Sequence, residues 1–258
     1  MVKGLYTAYT GMLNEQHRMD TLSNNMANVT TNGYKKEGTT SQSFDDVLAV
    51  KIKDSNVGYN NVQVEGRMQP GVKIGENYTD WSAGSFKITD NTYDIAIGGD
   101  GFFSIEFTNK RGETQTFYTR DGQFTLNSQG YIVNSNGDYL LDENSKRIQL
   151  NTAIDAAIDK QGNITQDGRV VAKIGLTDFA NYDYLQKYGE NYYYALQGAE
   201  KTQANGEMYS GYLETSNVNV VTEMVDLITI SRQYESNQKI IQTIDNTLDK
   251  AVNQLGRL

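Results

Sequence analysis

Carboxylates are the side chains of this sequence best placed to run hydrolytic chemistry. It contains no cysteine and one histidine, His17. A thiolate nucleophile, a cysteine-ligated zinc, a serine–histidine triad and a histidine-based metal site therefore have no residues to build on. What remains is a pair of acids of the kind that cleaves glycosidic bonds. Asp94, Asp100 and Asp121 are the candidates, each beside an aromatic residue or a turn, although acids next to glycine are also what tight turns favour. Tyr192-Tyr193-Tyr194 offers rings for stacking on a sugar, or alternate strand positions packed on cross-strand neighbours. Gly98-Gly99-Asp100-Gly101 lacks the lysine and the full glycine spacing of a phosphate-cradling loop. Asn134-Ser135-Asn136-Gly137-Asp138 has the look of a calcium loop, but its glycine comes two positions early and Asp142-Glu143 arrives too soon for a bidentate ligand. A hairpin turn accounts for it. The residues thus predict no cofactor, no metal and no catalytic centre.

Charge narrows the partners. The chain has 258 residues, 23 basic against 32 acidic, and a net charge of −9. Such a chain lacks the basic surface that releases counterions from nucleic acid or attaches to an anionic membrane. No apolar run approaches the ~20 residues that span a bilayer. The first residues, Met1-Val2-Lys3-Gly4-Leu5-Tyr6, lead into Glu15-Gln16-His17-Arg18 without an unbroken apolar core or a small-residue cleavage pattern, so a cleaved secretory signal is not expected.

The elements that must carry these residues differ between the ends and the middle. From Leu5, apolar residues recur at heptad spacing through Met12, Met19 and Met26, with Ala8, Leu22 and Val29 on the complementary row. Val29-Thr30-Thr31 and Asn32-Gly33 predict the end of that helix near Asn28. A longer pattern closes the chain: Val220, Leu227, Tyr234, Ile241, Leu248 and Leu255 form one row, and Ile230, Ile244 and Ala251 another, with Asn237 as its polar member. Asn217 or Asn219 can serve as N-cap. Two seams of matching period predict helices that pair with each other, with other copies, or both, and that fray when unpartnered. Between them, turn dipeptides such as Asp121-Gly122 and Asn136-Gly137 separate short β-rich runs at intervals near ten residues, and both glycines are expected at positive φ. The expected fold is α+β: a central, mostly antiparallel β domain with N- and C-terminal helices forming a coiled-coil stalk. The expected divisions are 1–33 (helix and turn), 34–79 (connecting segment with a strand at Val47–Ile52), 80–200 (β domain), 201–216 (hinge) and 217–258 (helix). Most of the negative charge falls on the middle, leaving the helical ends nearly neutral, which suits ends that pack in many copies.

Four motifs in order give the chain a family resemblance. They are Leu22-Ser23-Asn24-Asn25-Met26-Ala27-Asn28-Val29-Thr30-Thr31-Asn32-Gly33-Tyr34-Lys35; Asp94-Ile95-Ala96-Ile97-Gly98-Gly99-Asp100-Gly101-Phe102-Phe103; Tyr118-Thr119-Arg120-Asp121-Gly122-Gln123-Phe124; and Gly211-Tyr212-Leu213-Glu214-Thr215-Ser216-Asn217-Val218-Asn219-Val220, followed by Glu223-Met224 and Arg232-Gln233-Tyr234-Glu235. The chain resembles the flagellar basal-body rod proteins, the axial group that includes the hook protein. Its last motif is most similar to the distal-rod branch, with the proximal-rod branch next. The resemblance implies a non-enzymatic subunit of the flagellar drive shaft, exported uncleaved through the flagellar type III apparatus. Its partners would be further copies of itself, other rod subunits and the hook protein. It implies terminal helices in an inner tube, joined through Leu5, Met12, Met19, Leu22 and Met26 at one end and Leu227, Ile230, Tyr234, Ile241, Ile244, Leu248 and Leu255 at the other, with the β domain outward. Asn25, Ala27, Asn28, Gly33, Tyr34, Ser216, Asn217, Val218, Glu223 and Met224 are the motif residues it singles out. Where family members often carry a Gly/Pro-rich stretch, this chain has Lys201-Thr202-Gln203-Ala204-Asn205-Gly206. Two other readings of the residues are a secreted adhesin or carbohydrate-binding module using the tyrosine-rich body, and a cell-wall glycan hydrolase using the acids.

Overall fold

A computed structural model describes residues 2–45, 47–52, 62–109 and 112–255. The fold is α+β, and the chain divides into two compact units. The first gathers Met1–Met26, Glu37–Asp80 and Asn219–Leu258; the second gathers Ala27–Lys36 and Trp81–Val218.

The first unit is built on two long helices, α1 (Val2–Ala27) and α2 (Val220–Lys250). Helix α1 ends at Ala27, next to Asn28 and just ahead of the β-branched run Val29-Thr30-Thr31. Of the two candidate N-caps for α2, Asn219 takes the role: its backbone is extended, and its side chain accepts from the Val221 and Thr222 amides at 3.0 and 3.3 Å. Three contacts fix how the helices lie. A side-chain carbon built on Gly4 would stand 3.8 Å from Ile244 Cδ1, and one on Gly11 3.1 Å from Asn237 Nδ2. Asn25 Nδ2 lies 3.4 Å from Glu223 Oε2. Each step up α1 is matched by an equal step down α2, in whole heptads, so the helices run antiparallel along this length. Frayed, unpartnered ends are therefore not what the single chain shows: each helix already covers one face of the other. The expected connecting segment is more ordered than its composition suggested. It contains β1 (Glu37–Ser43) paired antiparallel with β4 (Val72–Thr79), and β2 (Val47–Ile52) paired with β3 (Val62–Met68).

Among the described residues the second unit is mostly β, with one 3-10 turn at Tyr182–Tyr184. Its main sheet orders the strands 185–188, 192–195, 114–119, 102–108, 139–140, 132–134 and 124–126, all antiparallel to their neighbours. Alternation along Phe102–Thr108 sends neighbouring side chains to opposite faces. Phe103 and Ile105 enter a core with Ile95, Phe117, Phe124 and Leu140, while Phe102 packs on the other side with Tyr118, Phe179 and Tyr193. Both faces are buried at the start of this strand, where Phe102 and Phe103 stand side by side; beyond them Ser104, Glu106 and Thr108 alternate with Ile105 and Phe107. Residues 201–216, expected as a hinge, instead supply three strands. Lys201–Gln203 pairs with Leu176–Phe179, Glu207–Ser210 with Ile95–Gly98, and Tyr212–Glu214 with Phe86–Ile88. Polar turn-like composition hid them because each is three or four residues long and takes its register from a distant partner.

The two glycines expected in left-handed turns part company. Gly137 has φ +90° with open space around its Cα. Gly122 is not in that region. Glycine is needed there because a Cβ would stand 1.7 Å from the Ile95 carbonyl oxygen, whose own amide donates to Gly122 O at 3.0 Å. The constraint is close backbone approach rather than φ.

Candidate assembly interface

The residues nominated for hydrolysis are engaged in turns. Asp94 is buried and accepts from Asn91 Nδ2 at 3.1 Å, and Asp100 is exposed in the loop between two strands. Asp121 accepts from the Gln123 amide at 3.1 Å and from Asn191 Nδ2 at 2.9 Å. Burial pushes the Asp121 carboxyl up to about 6; the two hydrogen bonds oppose this and the nearby Asp94 adds to it. Gly98-Gly99-Asp100-Gly101 joins two strands and opens no helix. In the calcium-like loop, Asn134 Oδ1 accepts from the Asn136 and Asp138 amides at 3.0 and 2.9 Å, so that oxygen is turned to its own backbone. Tyr192 and Tyr193 are buried, which removes two of the three rings from any sugar-stacking platform. His17 is exposed on α1.

Three of the motifs, far apart in sequence, converge inside the β unit. Tyr34 is fully buried, with Lys187 Nζ 4.1 Å from its ring centroid. Lys35 Nζ donates to Glu214 Oε1 at 2.7 Å and to the Ser82 carbonyl at 2.9 Å. Arg120 Nη1 lies 3.5 Å from Glu214 Oε2. The Gly33 amide donates to the Glu214 carbonyl at 2.8 Å, and the Lys36 amide to Asn217 Oδ1 at 2.7 Å. Gly33 must be glycine on two counts: φ is +67°, and a Cβ would lie 2.4 Å from the Arg120 carbonyl carbon. The incoming segment 27–36 and the outgoing segment 211–218 are thus tied to each other by a buried lysine–glutamate–arginine cluster. Removing one partner of such a cluster costs about 3–5 kcal/mol, since the remaining charge stays buried. Ser216 and Asn217 are half-buried there, Val218 and Asn28 are buried, and Ala27 is exposed.

On the helices, the residues named for the seams sit between core and surface. Leu5, Met12, Met19, Leu22 and Met26 are half-buried, as are Leu227, Tyr234, Ile241 and Ile244. Ile230 is buried and Leu248 is 37% exposed; of Leu255 only the backbone is described. The row Glu223–Ile230–Asn237–Ile244 is the one turned toward α1. Heptad reasoning passed over a second set. Val221, Met224, Val225 and Ile228 recur at the i, i+3, i+4, i+7 spacing of one helix face and are 71%, 48%, 58% and 52% exposed. Ile228 precedes Ile230 by two residues, which is about 200° of rotation, so this stripe lies on the side of α2 away from α1. Helix α1 mirrors the arrangement: Tyr6, Tyr9 and Leu13 are exposed on the face away from Gly4 and Gly11. The spacing was legible in the sequence; that these faces are left uncovered was not.

Three family models match in the order of these features. The model described as "Flagella basal body rod protein" covers residues 5–35, "Flagellar hook protein FlgE/F/G D1 domain" covers 96–172, and "Flagellar basal body rod FlgEFG protein C-terminal" covers 209–255. The chain is 34% identical to the flagellar basal-body rod protein FlgG of Bacillus subtilis, over 98% of this chain and 99% of the relative. The chain belongs to the flagellar basal-body rod protein family. Other members are similar over a comparable span. FlgG of Caulobacter vibrioides is 36% identical over 98% of this chain and 99% of its own, and FlgF of the same organism 30% identical over the whole of both. In this rod-family chain the first matched segment covers α1 and the entry to the β unit, and the last covers the exit and α2.

Proposed function

We propose that this rod-family chain is a structural subunit of the flagellar basal-body rod, in its distal part, that polymerises through its terminal helices into a hollow, torque-transmitting shaft. The observation that carries this reading is the pair of two-faced helices. Each of α1 and α2 uses one face on the other and leaves an apolar stripe on the opposite face. A helix apolar on two sides is stable in water only with a second partner. Further copies of the same near-neutral helices are that partner, bundled as coiled coils in which Leu5, Met12, Met19, Leu227, Tyr234, Ile241 and Leu248 flank the contact. The buried Lys35–Glu214–Arg120 cluster then carries load between the two connections and the β unit. We further infer export through the flagellar type III apparatus with the N-terminus uncleaved, a location in the basal body beyond the cytoplasm, contacts with other rod subunits and the hook protein, and no enzymatic role, since the candidate acids serve turns.

The test is complementation. Cells lacking the endogenous protein should regain swimming with the wild-type chain and fail with Val225→Asp. That residue is 58% exposed in the single chain, so folding and export should be unchanged. Normal swimming by Val225→Asp cells would contradict the reading.

A further inference from the structure

We propose that Asn25 and Glu223 are positioning residues that set the register of α1 against α2. The inference stands on the geometry of the helical unit and does not depend on the rod reading.

Heptad rows repeat every seven residues, so two such helices can slide by a heptad and still set apolar rows on apolar rows. The α1 face here is poor at preventing it. Gly4 and Gly11 point toward Ile244 and Asn237 with no side chain to interlock. At the far end the interface changes character: Asn25 and Glu223 are both 0% exposed. The Asn25 amide is committed on both edges. Its Nδ2 donates to the Glu37 carbonyl at 2.8 Å, and its Oδ1 accepts from the Glu37 amide at 3.0 Å. The first residue of β1 therefore holds the amide in place on α1, and Glu223 Oε2 meets Nδ2 at 3.4 Å. A polar group buried at one heptad position is satisfied in one register only, the best-attested use of buried polar residues between helices.

The competing register is defined by the sequence. Sliding α2 one heptad one way carries Glu223 beyond the end of α1 at Ala27. Sliding it the other way sets Glu223 level with Arg18, an opposite charge now paired with Glu15 at 3.1 Å, and sets Asn237 level with Gly4. Charge attraction alone does not reject that slide. The fixed Asn25 amide does, because in that slide Glu223 leaves it and position 25 stands level with 216, ahead of the first residue of α2.

The chain has no cysteine, so engineered pairs report register without background. Gly11→Cys with Asn237→Cys reads the observed register, since a Cβ on Gly11 lies 3.6 Å from Asn237 Cγ. Gly4→Cys with Asn237→Cys reads the slid one. In the otherwise wild-type full-length chain the first pair should oxidise at least tenfold more than the second. Adding Asn25→Leu should move a third or more of the cross-link to the Gly4 pair, and Glu223→Gln, which keeps an acceptor but has no charge for Arg18, should leave it on the Gly11 pair. If Asn25→Leu fails to fold by circular dichroism, Asn25→Ser takes its place under the same criterion. Cross-linking that stays wholly on the Gly11 pair after loss of the Asn25 amide would overturn the proposal.

Discussion

At the scale of single residues, the sites that looked chemical are explained by backbone geometry and burial. Asp121 sits in a turn where burial raises its carboxyl to about 6 from 3.8. A raised carboxyl means the folded chain binds that proton more tightly than the unfolded one. Its contribution is fully present below about pH 3.8 and lost as pH rises through about 6. The melting temperature of the wild type, measured relative to Asp121→Asn, should therefore climb as pH is lowered from 7 to 5; a flat difference would mean the carboxyl is not so perturbed. The two turn glycines give a second expectation. Gly137→Ala meets only the cost of a left-handed backbone, about 1 kcal/mol, because nothing lies within 4 Å. Gly122→Ala has an ordinary φ but drives a methyl into the Ile95 carbonyl, and should cost several-fold more by denaturant titration. Equal costs would mean that the 95–122 backbone contact yields freely.

At the scale of elements, the helices were legible and the edges of the β unit were not. Heptad rows, the β-branched stop after Asn28 and the Asn219 cap all declare themselves locally, because a helix is held by contacts a few residues apart. The strand at Val47–Ile52 could be read for the same reason. The three strands within 201–216 could not, since each is defined by a partner tens of residues or more away. The motif cluster was half legible. Lys35, Arg120 and Glu214 each lay inside a motif string, but only folding brings them within ion-pair distance. Helix pairing also predicts a gradient of protection. The Gly4–Ile244 contact exhausts α1, so the last turns of α2 continue past their partner. Amide exchange should be slowest around Phe102–Thr119, slower at residues 223–237 than at 245–255, and fastest in that final stretch. Equal protection along all of α2 would require a cover that α1 does not provide.

At the scale of the whole chain, two units share one polypeptide that crosses between them at 26/27, 36/37, 80/81 and 218/219. The β unit has a complete core of its own. On the helical unit, Val221, Met224, Val225 and Ile228 of α2 and Tyr9 and Leu13 of α1 keep much of their apolar surface exposed among the described residues, and that exposed surface is the central claim about function. Ile228 is 52% exposed on the face turned away from α1. A charge there is hydrated in the single chain but buried without a partner once copies pack, a cost of several kcal/mol that recurs at every subunit. The most direct measurement is electron microscopy of basal bodies from cells whose only copy of this protein carries Ile228→Asp, beside cells carrying Glu235→Lys, one heptad further along the same face, where the residues are polar and already charged. The account predicts that the Ile228→Asp protein is exported and folded while basal bodies stop short of a complete rod, and that Glu235→Lys cells build rods of normal length. Complete rods in Ile228→Asp cells would contradict it.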